Sequence, residues 1–354
     1  MNTILITGGA GFIGSALAIK WKTAKPTARV IAFDNLKRRG SELNIPRLKN
    51  LGIEFCHGDI RNVEDLEAVG PFNLMVECSA EPSILARYNT SIDYMLNTNL
   101  LGVLNCVKVL ARYRSDLIFL STSRVYPIPE LNNLKFEEHE SRFSLLENRA
   151  VPGANSNGIS EYFPLAGRRS LYGATKLASE ILIAELSEIH GFRYAINRCG
   201  LVAGPWQMAK ADQGVITYWI AKHYYQEKLS YIGFGGLGKQ VRDVLHVDDL
   251  CNLVLSQADN MENYNAQTYN VGGGVKNSIS LLELTQWCRD RFKEIPIGNV
   301  TEDRPDDVRI YVTDNSKIIS ESNWAPRTPA RQCFNDIADW LESNSNLLAP
   351  VLQG

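Results

Sequence analysis

Tyr172 and Lys176 stand four residues apart in a segment, 170–176, that opens a helix through Leu177, Ile181, Ile183 and Leu186. At that spacing two side chains share one helix face. A phenol with its ordinary pKa of about 10 is a poor base at neutral pH. An ammonium one turn away stabilises the phenolate and makes it a usable proton carrier. A surface tyrosine above a solvated lysine is the plain alternative, so the pair needs context. Upstream, an apolar strand over 117–121 runs on into Thr122, Ser123, Arg124, Val125 and Tyr126. This sets hydroxyls where a central strand leaves its sheet, at the crevice in which α/β folds bind ligands.

The amino terminus supplies a second half for such chemistry. Ile4, Leu5 and Ile6 form a short buried strand, and Thr7 to Gly14 turns the chain into a helix beginning near Phe12. Gly8, Gly11 and Gly14 make a Gly-x-x-Gly-x-x-Gly dinucleotide fingerprint. The first glycine permits the tight turn, the second lets backbone approach a pyrophosphate, and the third lets the helix pack on the strand. Amides at the helix start, around Phe12 and Ile13, then face the phosphates. The fingerprint also calls for an acid about 20 residues on. Residues 29–33 are the second strand, and Asp34, followed by Asn35, stands at its carboxyl end. A carboxylate there accepts from a ribose diol and repels a 2′-phosphate, which favours NAD over NADP. Lys37, Arg38 and Arg39 follow, and basic groups at this turn can hold a phosphate; Arg38 is counted with the cofactor residues.

Strand and helix alternate from here, the pattern of a parallel sheet with crossover helices. The third strand, 53–57, is closed by Asp59 and Ile60; Asp59 fits either an adenine amino group or the N-cap of a helix over 62–69. The fourth, 74–78, ends in Ser79, Ala80 and Glu81, leaving room for a nicotinamide ribose. Asn97 and Asn99 precede a helix through Leu100, Val103, Leu104, Val107 and Leu110. Residues 127–169 are irregular and rich in Asn, Pro, Gly and charge, and a loop so long is usually functional or disordered. They read as a mobile flap over a substrate. Farther on, Asp212, Gln213 and Gly214 mark a loop, and 215–225 is aromatic-rich, fit to stack a base or to form a packed core helix. Lys239, Gln240, Arg242, Arg304 and Arg309 could serve a diphosphate, although Asp303, Asp306 and Asp307 lie close by as pairing partners. Segment 244–255 is expected to return to the first lobe, and 280–292 and 333–341 to form amphipathic helices.

The expected architecture is α/β. A Rossmann-type doubly wound parallel sheet, residues 1–198 with 241–262, would bind NAD. A smaller mixed α/β lobe, 199–240 with 263–354, would bind substrate. A length of 354 residues suits two lobes. Hydrophobic residues make up 45% and charged residues 21%, as in a soluble enzyme, and a net charge of −2 gives no case for nucleic acid. No apolar stretch is long enough for a membrane span, and no secretory signal pattern opens the chain. The seven cysteines lack any Cys-x-x-Cys pair, arguing for a reducing compartment, the cytoplasm, and against a metal site.

Taken together, residues 7–14, Asp34 to Leu36, Gly58 to Arg61, Asn99 with Gly102, Ser121 to Ser123, Tyr172 to Lys176 and Arg198 resemble the extended short-chain dehydrogenase/reductase superfamily, in that superfamily's order. The resemblance implies an NAD-dependent epimerase/dehydratase acting on a nucleotide sugar. Tyr172 would be its acid/base, Lys176 would lower the phenol pKa and hold the nicotinamide ribose, and Thr122 would bind the sugar hydroxyl. Residues 33–40, 55–62, 212–214, 238–246, 270–273, 280–284 and Arg304 with Asp307 and Arg309 look most similar to the CDP-paratose 2-epimerase branch. That likeness implies Ser123, Arg124, Gln213, Gly214, Lys239, Gln240, Arg242, Arg304 and Asp307 as substrate contacts. A CDP-sugar and epimerisation at the second hexose carbon follow from it, and a homodimer or higher homo-oligomer is compatible with it. Dehydratases of the superfamily carry Asp-Glu after the threonine, where this chain has Ser123-Arg124. Another epimerase or a net reductase is a neighbouring alternative, and a non-catalytic NAD sensor or scaffold is one from a different class. The chain departs from the superfamily at its fourth strand: the usual His-x-Ala is replaced over residues 77–81, which begin with Glu77.

Overall fold

The computed structural model describes residues 2–82, 92–210 and 213–353. Asp212 therefore lies outside the described residues. The chain divides into two compact units, the first formed by 1–125, 171–198 and 250–269, the second by 126–170, 199–249 and 270–354.

The first unit is built on a seven-stranded sheet. In chain order its strands are β1 (Thr3–Thr7), β2 (Arg29–Asp34), β3 (Glu54–His57), β4 (Leu74–Glu77), β5 (Asp116–Thr122), β6 (Tyr194–Cys199) and β7 (Gln267–Val271). Their spatial order is β7-β6-β5-β4-β1-β2-β3. β1 pairs in parallel with both β2 and β4, so the strand order reverses beside β1. The sheet is sandwiched by α1 (Phe12–Ala24), α2 (Ile45–Asn50), α3 (Val63–Glu67), α4 (Val103–Tyr113), α5 (Leu171–His190) and α6 (Val247–Asp259). Strands buried on both faces need continuous apolar runs, and Leu5, Ile31, Met75, Leu117 and Phe119 lie in one core with Val107 and Leu110 of α4 and Ile183 of α5. Asn97 and Asn99 do not precede a helix, as expected, but lie within one: Ile92–Leu96 leads into a π-helical segment, Asn97–Gly102, and then into α4. The wider π turn displaces the local side chains from α-helical positions.

In the second unit, Leu201–Ala203, Val241–His246, Ser278–Ser280 and Ile310–Tyr311 form one small sheet, and Leu229–Ile232 pairs in parallel with Ile297–Val300. Residues 126–170 and 241–249 belong here and not with the nucleotide-binding pattern that the sequence suggests for them. The reason is pairing: Val241–His246 bonds to three strands of this unit. Segment 127–169 is also less irregular than expected. It carries a helix, Ile128–Asn132, and two small hairpins, and Phe143 packs with Val241, Ile310 and Val312. Asn148 fastens it by bonding the backbone of Lys135 and Leu146. Of the two choices left open for the aromatic segment, the core helix is realised: Trp219 of Val215–Tyr224 stacks on Tyr231 and donates to Thr285 at 2.9 Å. The Ser280–Leu284 motif is a capping box, with Ser280 and Glu283 bonding each other's backbone amides at the start of Leu281–Arg291. Among the described residues no helix is long and apolar enough to cross a membrane.

Candidate active site

The glycine turn begins as β1 ends. Gly8 adopts φ +63° and lies against the chain leaving β4, where a Cβ would meet the carbonyl of Cys78 and the amide of Ser79 at 3.0 Å. At Gly14 a Cβ would stand 2.1 Å from the Gly8 carbonyl oxygen, so only glycine lets α1 pack onto the turn. Gly11 is the N-cap of α1; no side chain caps this helix and no acid occupies its first turn. Orphan amides and the helix dipole are thus left to an anion.

Asp34 closes the other side. It is 9% exposed, and its two oxygens accept from Ala10 N at 3.1 Å and Leu36 N at 2.8 Å, leaving lone pairs for a diol. Burial pushes its carboxyl above the usual range, against the pull of the Leu36, Ala10 and Gly11 amides. Asn35 reaches across to Asp59 at 2.8 Å, and Arg61 clamps the same carboxylate at 2.6 Å. Burial raises Asp59, but Arg61 and Asn35 together hold it below the ordinary value. Asp59 is therefore not the helix N-cap; Asn62 holds that position at α3. Ile60 packs against Gly102, where a Cβ would meet its side chain at 2.7 Å. This turn, cradle and acid have the chemistry a dinucleotide needs, and Gly8, Gly11, Phe12, Ile13, Gly14, Asp34 and Asn35 line the turn. Arg38 lies partly buried just beyond.

Tyr172 enters from α5. Gly173 allows the close approach, since a Cβ there would lie 2.0 Å from the Arg124 carbonyl oxygen. The helix is thereby seated on the turn Ser123–Val125 that follows β5, beside Thr122, whose hydroxyl accepts from Arg124 N at 3.2 Å. Lys176 is 1% exposed. Its ammonium lies 3.4 Å from Glu77 at the end of β4 and 4.3 Å from the centre of the Phe119 ring. Glu77 in turn faces the Thr7 hydroxyl at 3.4 Å, one residue before Gly8. The lysine of the helix and the glycine turn are thus joined at the switch between β1 and β4. Asn99, fully buried, accepts from Glu81 N at 2.8 Å and donates to the Glu81 carbonyl and Thr175, tying the segment Ser79, Ala80, Glu81 to α5. Below this layer, Ser121 and Arg198 both bond Glu180 in a buried cluster. Removing one member of such an ion pair costs on the order of 3–5 kcal/mol.

Sequence reasoning singled out Thr122, Tyr172, Lys176 and the glycines, and the first unit brings them to one edge of its sheet. It did not assign a role to Glu77, whose unusual residue type was the visible signal.

Within the second unit several expected phosphate donors have protein partners. Lys239 pairs with Glu138 at 2.8 Å. Arg242 bonds Asp307 at 2.9 Å and the Val308 carbonyl at 2.6 Å. Arg309 lies over the rings of Phe136, Phe143 and Phe234. Gln240 donates to the Ile232 carbonyl at 2.7 Å, while its Oε1 is buried with no partner among the described residues. Gln213 bonds the backbone of Lys210, and Gly214, with φ +73°, is the N-cap of the helix Val215–Tyr224.

The model of the NAD dependent epimerase/dehydratase family matches residues 4–272. A CDP-paratose 2-epimerase from Salmonella typhi is 32% identical over 96% of this chain and 99% of its own length. Among solved structures, dTDP-glucose 4,6-dehydratase from Bacillus anthracis in complex with NAD has a TM-score of 0.78 at 24% identity, covering 99% of this chain and all of that one. UDP-glucuronic acid 4-epimerase from Bacillus cereus, in complex with UDP-glucuronic acid and NAD, has a TM-score of 0.78 at 20% identity, covering 96% and 99%. At such identities the two structures establish the likeness of fold.

Proposed function

The chain belongs to the NAD-dependent epimerase/dehydratase family, and from that premise we propose that it is a nucleotide-sugar epimerase working on a CDP-linked hexose at its second carbon. The observation that carries the reading is the buried chain of contacts from Lys176 through Glu77 to Thr7, which brings the lysine one turn from Tyr172 to the mouth of the glycine cradle.

Bound NAD would supply an acceptor for two electrons that gives them back within the same turnover. Gly8, Gly11, Phe12, Ile13 and Gly14 would hold its pyrophosphate, Asp34 with Asn35 and Arg38 its adenosine ribose, and Asp59 with Ile60 its base. Ser79, Ala80, Glu81, Asn99, Tyr172 and Lys176 would surround its nicotinamide end. Tyr172, as phenolate, takes the proton of the sugar hydroxyl and later returns it. Lys176 favours the phenolate by its charge, since an opposite charge within about 4–6 Å shifts an acid by roughly 1–3 pKa units. Thr122 orients the hydroxyl. Ser123 and Arg124 follow it, so the acid and base that water elimination would need are missing there. In the second unit Gln213, Gly214, Lys239, Gln240, Arg242, Arg304 and Asp307 are the proposed substrate contacts. The open Oε1 of Gln240, without a partner among the described residues, supports this; Asp307 would act by bracing Arg242. Exposed Leu101, Ile181 and Ile189 near α4 and on α5 support pairing with a second copy of the chain.

Thermal-shift titration of the purified protein with CDP, UDP, dTDP and GDP tests the substrate class. A ligand at a hundred times its Kd adds about 2.7 kcal/mol of apparent stability. CDP is expected to raise the midpoint most; a larger rise with UDP or dTDP would reassign the base.

A further inference from the structure

Glu77 is a buried ionisable group for which the proposed chemistry has no task. It ends β4 in register with Thr7 of β1 and Phe119 of β5, and its side chain has no exposure. One oxygen accepts from Ser79 N at 2.8 Å and from the Thr7 hydroxyl at 3.4 Å, which fixes the carboxylate. The other oxygen is left for Lys176 Nζ. Among the described residues this carboxylate is the hydrogen-bond partner of the ammonium, which also lies over the Phe119 ring. The other titratable group that couples to the pair is Cys106 of α4, and burial keeps that thiol neutral by pushing it well above its ordinary value. Burial also raises the Glu77 carboxyl, while Lys176, Ser79 and Thr7 pull it back.

We propose that Glu77 is a positioning residue that anchors the Lys176 ammonium where β1 and β4 part and, by offsetting part of its charge, sets the pH at which the Tyr172 phenol releases its proton. The proposal rests on the Tyr172–Lys176 reading above. A cation beside a phenol lowers the phenol's pKa, and a carboxylate beside that cation weakens the effect. Glu77→Gln removes the offsetting charge with little change in size.

The test is a phenolate absorbance titration of the purified protein with its bound cofactor, each form measured against its own Tyr172→Phe counterpart so that the difference belongs to residue 172. With Glu77→Gln the Tyr172 titration is expected to move down by on the order of one pH unit. The acid limb of the kcat profile should move with it. A folded Glu77→Gln protein in which Tyr172 titrates as in the parent, or higher, overturns the role of Glu77 while leaving Tyr172 and Lys176 intact. A parent protein in which Tyr172 titrates like a free phenol overturns the underlying reading instead. Should Glu77→Gln fail to fold, Glu77→Asp keeps the charge but draws it back from the ammonium. It is then expected to give a smaller shift in the same direction, and no shift would again overturn the proposal.

Discussion

Tyr172→Phe is expected to lower turnover by roughly 10²–10⁴-fold, the usual worth of a positioned acid/base, while the fold and the bound NAD are retained. The substitution deletes one oxygen and keeps the backbone contacts that seat the helix. The Tyr172 carbonyl still accepts from Thr175 at 2.8 Å, and Gly173 still rests on the Arg124 carbonyl. Lys176 keeps its contacts with Glu77 and Phe119. The ring sits at the start of α5, partly exposed, so its loss of a hydroxyl leaves the core untouched. Steady-state turnover, nicotinamide content after gel filtration and the thermal midpoint together check this. Undiminished turnover in Tyr172→Phe would remove the residue from the chemistry. A collapse of the midpoint would mean that the phenol serves the fold.

Gly14→Ala is expected to abolish cofactor retention and to destabilise the protein as well. The new Cβ would lie 2.1 Å from the Gly8 oxygen and 2.9 Å from the Gly9 Cα, all backbone, so no side chain can swing away. Relief requires α1 to lift off the turn, which separates the helix amides from the phosphate position and loosens the packing of Leu17 and Ala18. Overpacking of this kind typically costs about 1–3 kcal/mol. In a protein of this size that lowers the midpoint by several degrees. Gly11→Ala is the informative companion. Its Cβ would approach the Gly8 oxygen only to 3.1 Å, so the fold should hold while the phosphate approach is filled. Bound nicotinamide after gel filtration and the thermal midpoint separate the two outcomes. Full cofactor content in Gly14→Ala would contradict the placement of the cradle.

Much of the first unit was legible because its signals are local. Strands covered on both faces read as apolar runs around Leu5, Ile31 and Phe119, and the turn glycines and Asp34 fall at fixed offsets. Tyr172 and Lys176 are one helical turn apart, a spacing that sequence states directly. What escaped depended on distant partners. Segment 127–169 has strands of two or three residues, too short for any periodicity, and is ordered by contacts such as Phe143 with Val241 and Asn132 with Arg309. Lys239 and Arg242 looked like donors awaiting a phosphate until Glu138 and Asp307 were found beside them, 101 and 65 residues away. Glu77 stood out by residue type, yet the lysine it meets is 99 residues downstream.

At the root of the account is a hydrogen taken from carbon and handed back to that same carbon inside one protein, with residue 172 managing the accompanying proton. A CDP-hexose deuterated at its second carbon, converted in ordinary water without added nicotinamide, tests this most directly. The epimerised product should keep nearly all of its deuterium. Loss of the label to water would show exchange through a carbanion, and the epimerase described here would be wrong.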